Sequence, residues 1–449
     1  MEQITKPHCG ARLDRLPDCR WHSSMFAIVA FGLLVCWSNA VGGLILAQLK
    51  ALGGTDNSPP ATFSAITTAG MFLGALVGGI IGDKTGRRNA FILYEAIHIA
   101  SMVVGAFSPN MDFLIACRFV MGVGVGALLV TLFAGFTEYM PGRNRGTWSS
   151  RVSCIGNWSY PLCSLIAMGL TPLISAEWNW RVQLLIPAIL SLIATALAWR
   201  YFPESPRWLE SRGRYQEAEK VMRSIEEGVI RQTGKPLPPV VIADDGKAPQ
   251  AVPYSALLTG VLLKRVILGS CVLIAMNVVQ YTLINWLPTI FMTQGINLKD
   301  SIVLNTMSMF GAPFGIFIAM LVMDKIPRKT MGVGLLILIA VLGYIYSLQT
   351  SMLLITLIGF FLITFVYMYV CYASAVYVPE IWPTEAKLRG SGLANAVGRI
   401  SGIAAPYAVA VLLSSYGVTG VFILLGAVSI IVAIAIATIG IETKGVSVE

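Results

Sequence analysis

The chain has 449 residues, of which 56% are hydrophobic and only 12% charged, and its mean hydropathy is +0.72. An average soluble protein carries about 25% charged residues, so the composition excludes a soluble protein of several globular domains and requires an outer surface that faces lipid. The net charge of +9 is large enough for a nucleic-acid binder, and its location along the chain decides what it does.

A helix that crosses a ~30 Å hydrocarbon core needs about 20 mostly apolar residues. By that measure twelve spans are predicted, at 24–49, 61–82, 89–107, 112–136, 150–171, 182–202, 266–292, 301–323, 330–348, 352–378, 390–413 and 418–440. The fifth contains Pro161 and the eleventh Arg399 and Pro406, interruptions that membrane helices tolerate when neighbours satisfy the freed backbone groups. The first follows some twenty polar residues and precedes no small-residue cleavage site, so it is expected to be retained rather than removed as a signal peptide.

An even number of spans puts both termini on one side. With the termini inside, 27 of the 32 Lys and Arg are cytoplasmic; Lys50, Arg181 and Lys299 lie outside, and Arg118 and Arg399 lie within spans. This asymmetry orients the chain with both ends in the cytoplasm and explains the basic excess without nucleic acid. The eight cysteines show no metal-ligand spacing and none falls in an expected external loop, so no metal, cofactor or disulfide is expected. Gly122-x-Gly124-x-Gly126 lies inside the fourth span, where small residues let helices approach closely; with no phosphate loop and no nucleophile–base constellation, neither ATP-driven transport nor enzyme chemistry is expected.

A long cytoplasmic connection separates six spans from six. Residues 200–265 hold 19 of the 55 charged residues, and Pro206 to Glu210 and Tyr215 to Glu227 read as short amphipathic helices. The expected domains are a six-helix bundle at 1–202, the cytoplasmic segment at 203–261 and a second bundle at 262–449. The bundles repeat one another weakly. Gly82-Asp83-Lys84-Thr85-Gly86-Arg87-Arg88 after the second span matches Met323-Asp324-Lys325-Ile326-Pro327-Arg328-Lys329 after the eighth. Glu138 to Pro141, with Arg145, matches Glu380 to Pro383, with Arg389. Pro203-Glu204-Ser205 matches Ile441-Glu442-Thr443. The three offsets are 241, 242 and 238 residues. Two parallel six-helix repeats with a substrate site between them are one of the main transporter architectures.

The same residues carry a resemblance to the major facilitator superfamily, in its sugar-porter and metabolite-symporter branch. Gly82 to Arg88 is similar to the superfamily signature, Arg118-x3-Gly122-x-Gly124-x-Gly126 to its fourth-helix motif, Pro203-Glu204-Ser205-Pro206-Arg207-Trp208-Leu209 to the sugar-porter sequence after helix six, and Glu442-Thr443-Lys444-Gly445 to its partner after helix twelve. The chain looks closest to enterobacterial inner-membrane metabolite transporters. The resemblance implies an all-α membrane protein of twelve helices in two bundles that work by alternating access in a bacterial inner membrane. Proton-coupled members carry an Asp in helix one; here the stretch is Cys36-Trp37-Ser38-Asn39, which leaves proton symport and uniport both open.

Candidate site residues fall into two groups. For gating, Asp83 stands in a turn that Gly82 and Gly86 make tight, where a carboxylate can accept hydrogen bonds from the positive end of a helix. The resemblance implies that this helix is the eleventh, near Arg389, and that the contact latches the outward-facing state. Arg87, Arg88 and Asp324 belong to the same motif. Glu138 with Arg145, and Glu380 with Arg389, are expected as cytoplasmic pairs that join Glu204 and Glu442 in a breakable network. For substrate, embedded charges are costly and usually functional, which marks Arg118 and Arg399. Asn277, Gln280, Tyr281 and Asn285 form one stripe of the seventh span, and Asn157 and Tyr160 repeat the pattern on the fifth. Amides and phenols suit a hydroxyl-rich solute, so a sugar, polyol or sugar acid is the expected substrate and an organic anion the alternative. A non-transporting sensor of the same fold is a second alternative, against which stand terminal segments of only about 20 and 9 residues, short for an appended domain. The expected partners are the small-molecule substrate, the bilayer and, if symport holds, protons, with the chain a monomer. Glu95 and His98, one turn apart on the third span, read as a structural pair able to carry a proton. Phe365, Tyr369, Tyr372 and Tyr377 of the tenth read as packing more than as a sugar platform.

Overall fold

The computed structural model describes residues 7–17, 19–53, 58–141, 145–240, 253–323, 325–383 and 386–443. Among them the secondary structure is helical, and each expected span falls on a helix. The first six are Arg20–Ala51, Ser58–Thr85, Arg87–Ala106, Met111–Tyr139, Arg145–Leu170 and Ala176–Tyr201. The seventh is Gly260–Thr293, and the eighth comes in two pieces, Leu298–Met309 and Gly311–Val322. The ninth is Arg328–Ser347, and the tenth is Met352–Cys371 extended by a π-helical stretch, Tyr372–Tyr377. The last two run as one helical segment, Lys387–Ile439, broken at Gly417, whose φ of 64° only glycine adopts freely. Pro161 and Pro406 stay inside their helices.

Glycine sets the closest helix approaches, and it does so twice. In the second span, a Cβ on Gly70 or Gly74 would overlap the carbonyl oxygen of Phe119 or Val123 in the fourth. In the eighth span, Gly311 and Gly315 meet the carbonyls of Phe360 and Thr364 in the tenth in the same way. Every member of the second set lies 241 residues after its counterpart in the first. In lipid, where apolar burial does not drive helices together, such backbone approach supplies the packing that does.

The chain forms two compact units that cut across the sequence halves. One holds Met1–Cys36, Gly70–Gly156 and Leu184–Lys247; the other holds Trp37–Ala69, Asn157–Gln183 and Ala248–Glu449. In the first unit the N-terminal residues are not a loose polar tail. Helix Cys9–Asp14 and Leu16 just after it bury Cys9, Leu13 and Leu16 against Trp208, Leu209, Met222, Ile225 and Val229 of the cytoplasmic helices Pro206–Ser211 and Tyr215–Thr233. Around this core Arg12 bonds to Glu226 at 2.7 Å and to Glu219, Arg15 bonds to Glu226 at 2.6 Å, and the Cys9 N–H donates to Glu210 at 2.8 Å.

Burial raises the Glu226 carboxyl, but the hydrogen bonds from Arg12 and Arg15 outweigh it and hold the group below its ordinary value; Glu219 is lowered for the same reasons. A lowered folded value means that the clamp is complete at neutral pH and weakens as the pH falls through the acid range. Burial and the Glu210 carboxylate push the Cys9 thiol up to about 12, which leaves almost no reactive thiolate. Cys9 is therefore expected to label slowly with a maleimide in the intact protein. Arg12→Ala should speed peptide-resolved labelling about tenfold, the effect of losing ~1.4 kcal/mol of docking; an unchanged rate would show that the N-terminal helix is not held by these contacts.

Candidate gates and transport site

The loop between the second and third spans turns at Gly86, whose φ is 97°. The third helix begins one residue later with no side-chain cap of its own. Its cap comes from Glu204, 117 positions away, which accepts from the backbone N–H of Arg87 at 2.6 Å and of Arg88 at 3.2 Å. The Arg87 side chain then bonds to Glu138 at 2.8 Å and to Asp83 at 2.7 Å, and Ser205 donates its hydroxyl to Glu138. A Cβ on Gly86 would overlap the Glu204 carboxylate, so the motif's glycine makes room for the cap. Asp83 itself is exposed; its carbonyl accepts from Trp208 Nε1 at 2.7 Å and from Arg212 at 2.5 Å.

The second unit repeats the arrangement with different residues at the turn. The ninth helix follows Pro327 and also lacks a side-chain cap. Glu442 accepts from the N–H of Arg328 at 2.8 Å and of Lys329 at 3.1 Å, Arg328 Nε bonds to Glu380 at 3.0 Å, and Thr443 donates to Glu380 at 2.6 Å. Hydrogen bonds with one charged partner are roughly twice as strong as neutral ones, and these carboxylates also meet the positive end of a helix dipole. Among the described residues Glu138 is held by Arg87, and Glu380 by Arg328; the expected pairs with Arg145 and Arg389 remain expectations. The Arg145 side chain and Asp324 lie outside the described residues, and Arg389 is half-buried at the start of its helix.

Seven of the eight substrate candidates fall in the second unit; Arg118, 2% exposed, falls in the first. The seventh-span stripe divides. Asn277 is buried and donates to Leu273 O at 2.7 Å on its own helix, facing Gly398 of the eleventh span. Asn285 is buried where the first span crosses: a Cβ on Gly43 would sit 2.6 Å and 2.8 Å from the carbonyl oxygens of Ile284 and Asn285. Gln280 and Tyr281 between them keep open surface, with Tyr281 packed on Gly402 beside Thr68. On the fifth span Asn157 is half-buried, and Tyr160 lies edge-on to Tyr367, 5.6 Å between ring centres. Arg399 is half-buried, and its Nη1 has no hydrogen-bond partner.

The carboxylate-capped turn is thus duplicated on a frame of apolar helices that also carries buried polar side chains. Residues 26–449 match the family described as sugar (and other) transporter. The chain belongs to that family. It is 99% identical over 449 residues to YdjK of Escherichia coli (strain K12), named for metabolite transport, with 100% of this chain and 98% of that protein covered. It is 44% identical over 452 residues to YdjE of the same organism, named an inner membrane metabolite transport protein, with 100% and 99% covered. In fold it matches the inward-open xylose transporter XylE of E. coli with a TM-score of 0.75 at 16% identity, over 95% of this chain and 98% of that one. This sugar (and other) transporter family member is therefore a multi-pass membrane transporter with the fold of the xylose transporter, and not an enzyme.

Several polar residues of this transporter escaped the sequence reading. Gln48, Asn179 and Gln183 are buried together, with Gln48 and Gln183 both donating to Asn179 Oδ1, at 3.1 Å and 2.7 Å. Their signal was the one used for the seventh span, amides within an apolar helix, but they are scattered over separate spans and make no stripe. The tenth-span tyrosines pack on each other, Tyr372 on Tyr377 at 5.0 Å and Tyr369 on Tyr372 at 5.7 Å, with Tyr369 donating to Val272 O.

Because Gly43 lies on the backbone of the seventh span, Gly43→Trp should force the two helices apart. A cysteine placed at buried Gln48 is expected to react with a membrane-impermeant thiol reagent about tenfold faster in that background. Equal rates would show that the contact at Gly43 does not close this end of the unit.

Proposed function

We propose that this transporter moves a sugar, polyol or sugar acid across the bacterial inner membrane by alternating access, with both termini in the cytoplasm. The observation that supports the substrate class is the seventh-span stripe: Gln280 and Tyr281 stay half-buried between Asn277 and Asn285, which are buried against neighbouring helices. An amide and a phenol offer both donors and acceptors to hydroxyl groups. The halves at 1–202 and 262–449 rock as bundles, linked by the segment at 203–261. Asp83, Arg87, Arg88, Glu138 and Glu204 act as one cytoplasmic gate, with Arg328, Glu380 and Glu442 as its repeat. The chain works as a monomer.

A second reading, an organic anion as substrate, is favoured by Arg118, a guanidinium 2% exposed inside a membrane helix, and by the Arg399 nitrogen that makes no hydrogen bond. Uptake by the purified protein in vesicles, tested with labelled pentoses, hexoses, polyols, aldonates and aromatic carboxylates, separates the two. A hydroxyl-rich solute should enter, and Gln280→Ala should cut its uptake about tenfold, as expected for a desolvated hydrogen bond of ~1–3 kcal/mol. Uptake of carboxylates alone, abolished by Arg118→Ala, would establish the anion reading, and no uptake of any of them would overturn both.

A further inference from the structure

The helix Pro206–Ser211, of six residues, meets the gate turn of the first unit along its whole length. Just before it, Glu204 accepts from the N–H groups of Arg87 and Arg88, and Ser205 donates to Glu138. Trp208 Nε1 within it and Arg212 just after it donate to the Asp83 carbonyl, at 2.7 Å and 2.5 Å. A helix this short is not stable by itself, so its place depends on what packs on its other side. That is the N-terminal helix, Cys9–Asp14. Trp208 and Leu209 are buried in one core with Cys9 and Leu13. Glu210 accepts from the Cys9 N–H at 2.8 Å, and Arg207 donates to Asp14 at 3.0 Å and to the Gly10 carbonyl at 3.3 Å. The N-terminal helix is pinned in turn to the helix Tyr215–Thr233, where Arg12 sets two nitrogens on the two oxygens of Glu226, at 3.0 Å and 2.7 Å. His8, at its start, has a φ of 48°, the one positive value for a non-glycine residue among the described residues. Such a conformation persists only where surrounding contacts hold it.

Two acids, Glu204 and Glu210, thus flank Trp208 and Leu209, the first bonded to the start of the third span and the second to the start of the N-terminal helix. Displacing the N-terminal helix would expose the apolar faces of Trp208 and Leu209 to water, which is unfavourable. A shift of Trp208 that buries its ring again draws Nε1 off the Asp83 carbonyl and moves Glu204, four residues earlier, away from Arg87 and Arg88. We propose that the N-terminal helix positions the gate, with Arg12 and Leu13 as its positioning residues: docked, it fixes Pro206–Ser211 so that Glu204 reaches the start of the third span. The inference rests on the gate reading above. Arg12 and Leu13 touch no solute in this role; they act through Pro206–Ser211 alone.

Backbone hydrogen exchange on the full chain in lipid vesicles, without solute, tests the positioning. Arg12→Ala and Leu13→Ala release the helix in two independent ways, and maleimide labelling of Cys9 in the same samples reports the release. Both variants should exchange the Arg87 and Arg88 amides about tenfold faster and leave Arg328 and Lys329 unchanged. Combined with Glu204→Gln they should add nothing further, because both changes act through one carboxylate. Faster Cys9 labelling with Arg87 and Arg88 still protected overturns the proposal, and so does an effect that simply adds to that of Glu204→Gln. Unchanged labelling in both variants also overturns it, since the helix is then not held by these contacts. If neither variant folds, Glu226→Gln loosens the same contact from the opposite side. The gating role is read on a solute the wild-type protein carries: at equal amounts of folded protein, turnover in the released variants should fall about threefold with KM within about twofold. Unchanged turnover alongside fast exchange at Arg87 and Arg88 overturns that role. If the wild-type protein carries none of the solutes, the transport reading fails while the exchange result still decides the positioning.

Discussion

Two carboxylates, Glu204 and Glu442, each cap a membrane helix that begins more than 110 positions earlier in the chain. A helix start leaves four backbone N–H groups without partners, and near a membrane such groups cannot be left unpaired cheaply. Most helices solve this with a Ser, Asp or Asn at the cap position. The third and ninth spans have Gly86 and Pro327 there instead, so each depends on an acid delivered from the end of the last span of its half. The cap therefore ties three membrane helices together at one point: the one that ends before the turn, the one that starts after it, and the one that supplies the acid. Arg87 and Arg328 add a fourth through Glu138 and Glu380.

Such a junction is strong enough to define a helix start and weak enough to be remade. The Arg87 and Glu138 side chains are 17% and 20% exposed. Pairs at a wet surface are worth ~0–1 kcal/mol, whereas breaking a buried pair costs several. A partly screened network lies between these limits. The cap also fixes the register of the third span, and with it Glu95 and His98, two and three turns into the membrane.

Much of the frame was legible in the sequence because lipid imposes a simple rule. Apolar runs of the right length must be helices, and this placed the spans, including those with internal proline. The loop repeat was legible because charged motifs stand out against an apolar chain. The equivalent repeat inside the membrane, Gly70 and Gly74 against Gly311 and Gly315, was hidden, since a glycine in a membrane helix looks the same whether it meets backbone or lipid. The bonds from Arg87 to Glu138 and from Arg328 to Glu380 were hidden for a related reason. Arg145 and Arg389 are close in sequence, but Arg87 and Arg328 are brought in by the helix fold, which proximity along the chain cannot reveal. The seventh-span stripe was read as one face from its spacing, whereas which of its members meet glycine and which stay half-buried depends on neighbouring helices. The N-terminal segment was read as polar because its three buried side chains, Cys9, Leu13 and Leu16, are outnumbered by its charges.

The claim that each half is organised by its own acid on a helix start is tested most directly by backbone hydrogen exchange. Glu204→Gln keeps the size of the side chain and removes its charge. The account predicts faster exchange at Arg87 and Arg88 in this variant, with Arg328 and Lys329 unchanged, and the reverse pattern in Glu442→Gln. Unchanged exchange at both sites, or equal loss at both from either substitution, would contradict it.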